Sequence, residues 1–203
     1  MKLYYSPGVC SLAPHIVAQE LGLPLQLEKV ALATKTTEAG ADYFAINPKG
    51  SVPALQLDSG EVLTEGPAIS QYLADQKPGS TIAPANGTLA RARLQEMLNY
   101  ISTEIHKTYS PLFRPDTVAE TRTEREAYLR RRYGLVEKIL SNQPFLLGDD
   151  FTAADAYLFA VTNWARILKL DLSEFPSLLA FQKRVAERPA VKAAMIAEGL
   201  VKA

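Results

Sequence analysis

A single cysteine, Cys10, a single tryptophan and two histidines are all that 203 residues contain of these types. A lone thiol cannot close an intrachain disulfide, make a Cys-x-x-Cys redox pair or supply a multi-thiolate zinc site. Surplus charge is missing as well. The 22 basic and 22 acidic side chains give a formal net charge of +0, without the basic surface that nucleic-acid binders use to displace counterions from phosphates. No polybasic patch suits an anionic membrane. Long apolar runs are also absent: the longest span about half a dozen residues, as at Ala156 to Val161, against the roughly 20 of a membrane-spanning helix. The opening residues Met1 to Gly8 have no apolar h-region of a signal peptide. These absences predict a soluble, cytoplasmic protein that engages neither nucleic acid nor membrane. What is present is ordinary for a folded chain, 47% hydrophobic and 22% charged. The length allows one large domain or two small ones, since domains cluster at roughly 100–150 residues.

The first 75 residues alternate short strands and helices. Lys2 to Tyr5 predicts a strand that stops at the turn cluster Ser6-Pro7-Gly8. Ser11 to Leu21 carries Leu12, Ile16, Val17 and Leu21 at helical spacing, with Gly22 placed as a C-cap. Leu25, Leu27 and Val30 suggest a second strand, and Asp42 to Ala45 a helical turn. Ala54 to Asp58 and Glu61 to Leu63 read as a hairpin across Ser59-Gly60. Gly66-Pro67 opens a helix through Ala74, its proline in the first turn, where a missing N–H costs nothing. The breaker-rich stretch from Pro78 to Gly87 reads as a linker. After it, Thr88 to about Ser110, Glu120 to Leu140, Thr152 to Leu168 and Pro176 to Glu187 each keep a helical apolar period, and Pro189 marks a boundary. Two units follow: an α/β unit that bears the thiol and an all-helical one.

Four features have chemical potential. Cys10 stands after a glycine turn at the predicted start of a helix, where backbone N–H groups and the helix dipole lower a thiol pKa from about 8.5 towards neutrality; a small buried apolar role is the competing reading. Ser51-Val52-Pro53 sets a proline at a strand entry, either as an edge residue or as a cis turn that leaves the Val52 backbone free to pair with an extended ligand. Glu65 and Gly66 precede a helix whose first N–H groups can hold a carboxylate, while Glu65 can answer an ammonium. Asn99, Thr103 and His106, spaced i, i+4, i+7, share one helix face, with Leu94, Leu98, Ile101 and Ile105 on another.

In this order and at these separations, Tyr5-Ser-Pro-Gly-Val-Cys10-Ser11, Asn47-Pro-Lys-Gly-Ser-Val52-Pro53-Ala, Leu63-Thr-Glu65-Gly66-Pro-Ala-Ile and Asn99-Tyr-Ile-Ser-Thr103-Glu104-Ile-His106-Lys107 resemble the cytosolic-type glutathione transferases, specifically the bacterial beta class. The likeness covers essentially the whole chain. It extends to Gly148-Asp-Asp-Phe151-Thr152-Ala-Ala-Asp155-Ala-Tyr157, which looks like the family's N-capping box, Thr152 capping the helix and Asp155 reaching back. The resemblance implies a thioredoxin-like α/β N-terminal domain at 1–78 with a mixed four-stranded sheet in the order βαβαββα. A linker at 79–87 and an all-α helical bundle at 88–203 would follow, the bundle forming the electrophile pocket. It also implies a homodimer and no cofactor, with glutathione as co-substrate and a small hydrophobic electrophile as second substrate.

Carried over by position, Cys10 lies beside the glutathione sulfur and forms a mixed disulfide in this class. Val52, ahead of Pro53, pairs with the cysteinyl part, Glu65 and Gly66 hold the γ-glutamyl end, and Lys35 meets the glycyl carboxylate. Many relatives have Ser where Gly66 stands, and a backbone N–H can still serve there. Asn99, Thr103, Glu104 and His106 come from the helical domain, His106 nearest the sulfur. Cys10 and His106 are thus the expected catalytic pair, with Ser11 as secondary donor and Tyr5 read as core packing. Tyr109, Phe113 and Trp164 are candidate apolar walls. Lowering the thiol pKa of glutathione from about 9 to about 6.5 would take ~3.4 kcal/mol, at about 1.36 kcal/mol per unit. Two other readings are a glutathione-dependent monothiol oxidoreductase using Cys10, and a non-catalytic glutathione-binding protein.

Overall fold

The computed structural model describes residues 1–202. Strand β1 (Lys2–Tyr5) leads to helix α1 (Leu12–Leu21), β2 (Gln26–Ala31), β3 (Thr36–Thr37), the short helix α2 (Tyr43–Ile46), β4 (Ala54–Gln56), β5 (Val62–Thr64) and α3 (Gly66–Asp75). Side chains of β1 alternate across the sheet, as the two-residue strand period requires. Leu3 and Tyr5 join the large core under α1 and α3. Tyr4 joins a smaller cluster with Val30, Tyr43, Val52 and Ala54. Helix α1 ends as the sequence predicts, at Gly22 in the left-handed region with φ 61°.

The sheet has five strands, not four, in the order β3-β2-β1-β4-β5. β1 and β2 are parallel, while β1–β4, β4–β5 and β2–β3 are antiparallel. The extra strand is the pair Thr36–Thr37, registered on Ala31 and Val30. Two residues are too few to display an alternation, so the sequence shows only a loop there.

The second half is helical: α4 (Leu89–Tyr100), α5 (Lys107–Tyr109), α6 (Ala119–Leu140), α7 (Ala153–Thr162), α8 (Trp164–Ile167), α9 (Pro176–Ala186) and α10 (Pro189–Ala197). The helix expected over 88–110 is not uniform. A π-helical stretch, Ile101–His106, follows α4, and a 3-10 turn, Ser110–Phe113, follows α5. The helix expected over 152–168 is interrupted at Asn163, between α7 and α8. Pro189 does not end the helical structure but stands in the first turn of α10, a position where proline is at home.

Helix α7 is buried along all ten of its residues and is the axis of this half. Its start is the expected capping box. Asp155 Oδ2 accepts from the Thr152 N–H and hydroxyl at 2.8 and 2.7 Å, and Oδ1 from the Leu146 N–H at 2.8 Å. The two halves share one continuous core, running from Leu3, Ile16 and Leu55 to Leu94, Leu98 and Phe159. An ion pair of the buried Arg91 with the exposed Asp75 ties α4 to the end of α3.

Candidate functional site

A cavity of about 490 Å³ opens where the loops at the end of the sheet face the helical half, and Cys10 lies in its wall. Its sheet side is made by Pro7 to Cys10, Lys35 and Lys49 to Val52, and its helical side by His106, Ser110, Phe113, Trp164 and Ile167. On the sheet side, positions are fixed through the backbone. The Ser51 carbonyl accepts from Asn47 Nδ2 at 2.7 Å and from the Tyr43 hydroxyl at 2.8 Å, which holds the segment leading to the cis Val52–Pro53 bond. Gly50 turns with φ 63°, and a Cβ there would come within 2.5 Å of the Phe44 ring. Lys35 Nζ donates to the Gly50 carbonyl at 2.7 Å, so its ammonium sits at the cavity edge beside Lys49.

Glu65 holds φ at 72°, a left-handed conformation that is costly for a residue with a Cβ and is found mostly where a site demands it. Its carboxylate pairs with Lys49 Nζ at 2.7 Å in the open. Gly66 begins α3 directly behind it, so the free N–H groups of a helix start lie next to a carboxylate–ammonium pair.

Cys10 departs from expectation. Helix α1 begins only at Leu12. Burial pushes the Cys10 thiol up to about 12, backbone N–H groups at Cys10 and Ser11 pull it down less, and Glu65 and Glu198 push it further up. The thiol is therefore protonated at neutral pH, and it donates to the Val52 carbonyl at 3.3 Å. The hydroxyl of Ser11 is fully buried and turned away from the cavity: it donates to the Ser6 carbonyl at 3.1 Å and accepts from the Ser6 N–H at 3.2 Å. Tyr5 is in the core, its phenol pKa raised by burial and by the charges of Glu198 and Glu38.

The loop bearing Cys10 is gripped by the helical half at one residue, Gly8. The Gly8 N–H donates to Glu198 Oε2 at 2.9 Å, and Trp164 Nε1–H donates to the Gly8 carbonyl at 2.9 Å. Glu198 also meets His15 Nδ1 at 2.9 Å, in the core.

On the helical side, His106 occupies the end of the π stretch. One extra residue of winding turns all that follows by about 100° relative to an unbroken α-helix. Asn99 and Thr103 accordingly remain on the exposed face, with the Thr103 hydroxyl donating to the Asn99 carbonyl, while His106 turns into the cavity. Glu104 faces α6, where it accepts from the Tyr128 hydroxyl and pairs with Arg132. The structure thus brings Cys10, Lys35, Val52 and His106 together and leaves Ser11, Pro53, Glu65, Gly66, Asn99, Thr103 and Glu104 outside this cavity's wall. His106 is held neutral down to about pH 4 by burial and by the charge of Lys107, against a small opposing effect of Glu65. Its Nδ1 lies 2.6 Å from the Tyr157 hydroxyl, and Trp164 packs edge-on at 4.9 Å.

Trp164 and Phe113 form apolar wall, as expected, whereas Tyr109 is wholly buried behind Trp164 and bonded to the Tyr133 hydroxyl at 2.9 Å. Sequence reasoning did not single out Lys49, Tyr157 or Ile167. Lys49 had a signal in Asn47-Pro-Lys-Gly-Ser; Tyr157 had none, because 51 residues separate it from His106. Among the described residues, no cluster of three or more His, Cys, Asp or Glu is arranged to hold a metal, and no helix is long and apolar enough to cross a membrane.

Residues 8–76 match the family model "Glutathione S-transferase, N-terminal domain" and residues 100–189 match "Glutathione S-transferase, C-terminal domain". The chain is 50% identical over 201 residues to glutathione S-transferase GstA of Escherichia coli O157:H7, covering 98% of this chain and 100% of that protein. Among solved structures it is similar to BphK, a bacterial GST in a ternary complex, at 54% identity and TM-score 0.97, covering 98% and 100% of the two chains. It is also similar to a sphingomonad glutathione S-transferase complexed with glutathione, at 45% identity and TM-score 0.95, covering 99% and 100%.

Proposed function

This chain belongs to the glutathione S-transferase family, and from that premise we infer that it conjugates glutathione to electrophiles in the cavity between its sheet and its helices. The observation that carries this reading is one cavity lined by a strand-like backbone at Val52, two ammonium groups and a neutral imidazole. An extended tripeptide pairs its cysteinyl backbone with Val52 as an added strand would. The Val52 carbonyl has a second lone pair free for this beside the Cys10 thiol. The glycyl carboxylate goes to Lys35, the γ-glutamyl ammonium to Glu65, and the γ-glutamyl carboxylate to the free N–H groups where α3 begins at Gly66.

The glutathione thiol then faces His106 and Cys10. Both are uncharged at neutral pH, and His106 can donate a hydrogen bond to a thiolate, stabilising the charged sulfur without a fixed positive charge, while the Cys10 S–H stays on the Val52 carbonyl. The thiol proton passes to solvent. The thiolate forms the new carbon–sulfur bond, and the electrophile's leaving group departs with its electron pair. Phe113 and Ile167, both exposed large apolar side chains, and Trp164 offer the second substrate an apolar surface. This favours small hydrophobic electrophiles. The alternative of a monothiol oxidoreductase is not favoured, because a thiol raised to about 12 is a poor nucleophile at pH 7.

Assembly as a homodimer is part of the proposal. Asn99 and Thr103 are exposed and face away from their own cavity, so a part for them in glutathione binding needs a second copy. Two measurements test the reading. Calorimetric titration with reduced glutathione should show binding, and a chloronitroarene assay should show conjugate formation. Absence of both would overturn it. Light scattering that finds a monomer at assay concentrations would remove the dimer alone.

A further inference from the structure

Resting on that reading, we propose that Tyr157 is a positioning residue for the sulfur chemistry. It donates its O–H to His106 Nδ1, and so fixes the imidazole in the tautomer whose Nε2–H faces the glutathione sulfur. The geometry leaves little choice. Tyr157 is 3% exposed, so its hydroxyl proton must find an acceptor inside the protein. Burial, Cys10 and Glu65 raise the Tyr157 pKa and Ser102 lowers it less, so the phenol keeps its proton at neutral pH. His106 Nδ1, at 2.6 Å, is the acceptor within reach of that proton.

A neutral imidazole carries one proton, so with Nδ1 accepting, the proton is on Nε2. His106 lines the Cys10 cavity, and Nε2 is the ring nitrogen left to serve it. The Tyr157–His106 bond joins the buried helix α7 to the end of the π stretch. It also explains how an uncharged histidine can stabilise a thiolate: the imidazole acts as an oriented N–H, not as a cation. The other groups acting on His106 are the edge of Trp164 and the charges of Lys107 and Glu65. None of them supplies a hydrogen bond to Nδ1.

The test begins with ¹⁵N spectra of histidine-labelled wild-type protein, which has only two histidines to assign; the signal lost in His106→Gln identifies His106. Between pH 6 and 8 the proposal requires a protonated Nε2 and a bare Nδ1. A proton on Nδ1 would overturn it, with no need for glutathione in the sample. The second measurement follows the ultraviolet absorbance of the bound thiolate against pH. Tyr157→Phe, which keeps the ring, should raise the apparent thiol pKa by about one unit and lower kcat/KM about tenfold near neutrality, the worth of one neutral hydrogen bond. Unchanged thiol titration in Tyr157→Phe, with glutathione still bound, would overturn the proposal and leave the transferase reading intact. Wild-type protein that binds no glutathione would instead sink the transferase reading, and the proposal with it.

Discussion

On the sheet side of the cavity the groups that meet the ligand are held by backbone and by neighbours close in sequence. Asn47 and Tyr43 fix Ser51, Lys35 reaches Gly50, and Lys49 reaches Glu65. On the helical side the groups are side chains assembled from distant parts of the chain: His106 leans on Tyr157, and Trp164 reaches back to Gly8. The two sides also differ in charge. The sheet side carries the ammonium groups of Lys35 and Lys49, the latter paired with Glu65 outside the wall, while the helical side faces the cavity with uncharged groups. Under the proposed reading, binding belongs mainly to the first wall and thiolate stabilisation to the second.

The comparison breaks most visibly if the helical wall is undermined. Asp155→Ala removes three hydrogen bonds at the start of α7, leaving the Leu146 and Thr152 N–H groups buried without an acceptor. A loss of about 3 kcal/mol in unfolding free energy is expected from chemical denaturation, and a loss below about 1 kcal/mol would contradict this role for α7. Next, His106→Gln should lower kcat/KM about thirtyfold, the range for one hydrogen bond to a charged group. Its glutathione Kd, set by the sheet wall, should change about threefold or less; equal losses in both would erase the division of labour.

A smaller effect concerns acid. The folded pKa of His106 is depressed from 6.5 to about 4, so between those values the unfolded chain takes up a proton that the native state refuses. This contribution to stability is in full effect above pH 6.5 and declines as pH falls towards 4. Denaturation midpoints should show that component in the wild type and lose it in His106→Gln; identical slopes would contradict the burial argument. The smallest effect is expected at the thiol. With its proton retained at neutral pH, Cys10 gives at most a weak hydrogen bond, so Cys10→Ala should keep conjugation within about threefold. The same variant should form no mixed disulfide with oxidised glutathione. A loss of conjugation beyond about thirtyfold would make Cys10 a catalytic group of the first rank.

The sheet wall was largely legible in the sequence because its determinants are short and contiguous. Ser6-Pro7-Gly8, Asn47-Pro48-Lys49-Gly50 and Glu65-Gly66-Pro67 each combine a turn, a strand entry or a helix start with the residue that the turn positions. Gly50 illustrates this, since only a residue without Cβ fits against Phe44. The helical wall was legible only in part. An α-helical period fits Leu94, Leu98, Ile101 and Ile105, all buried, yet the same period cannot reveal that the winding changes at Ile101. That change separates His106 from the face of Asn99 and Thr103. Helix α10 was hidden by Pro189, which marks a boundary and also suits a first turn. For Cys10 the dipole argument considers only the helix start, whereas desolvation by burial acts in the opposite direction.

The central claim, that glutathione lies along Val52 with its sulfur turned to His106, is tested most directly by a crystal soaked with reduced glutathione. The account predicts the cysteinyl backbone paired with Val52 and the sulfur about 3.5 Å from His106 Nε2, within reach of its N–H. Glutathione absent from this cavity, or bound there with its sulfur turned away from His106, would contradict it.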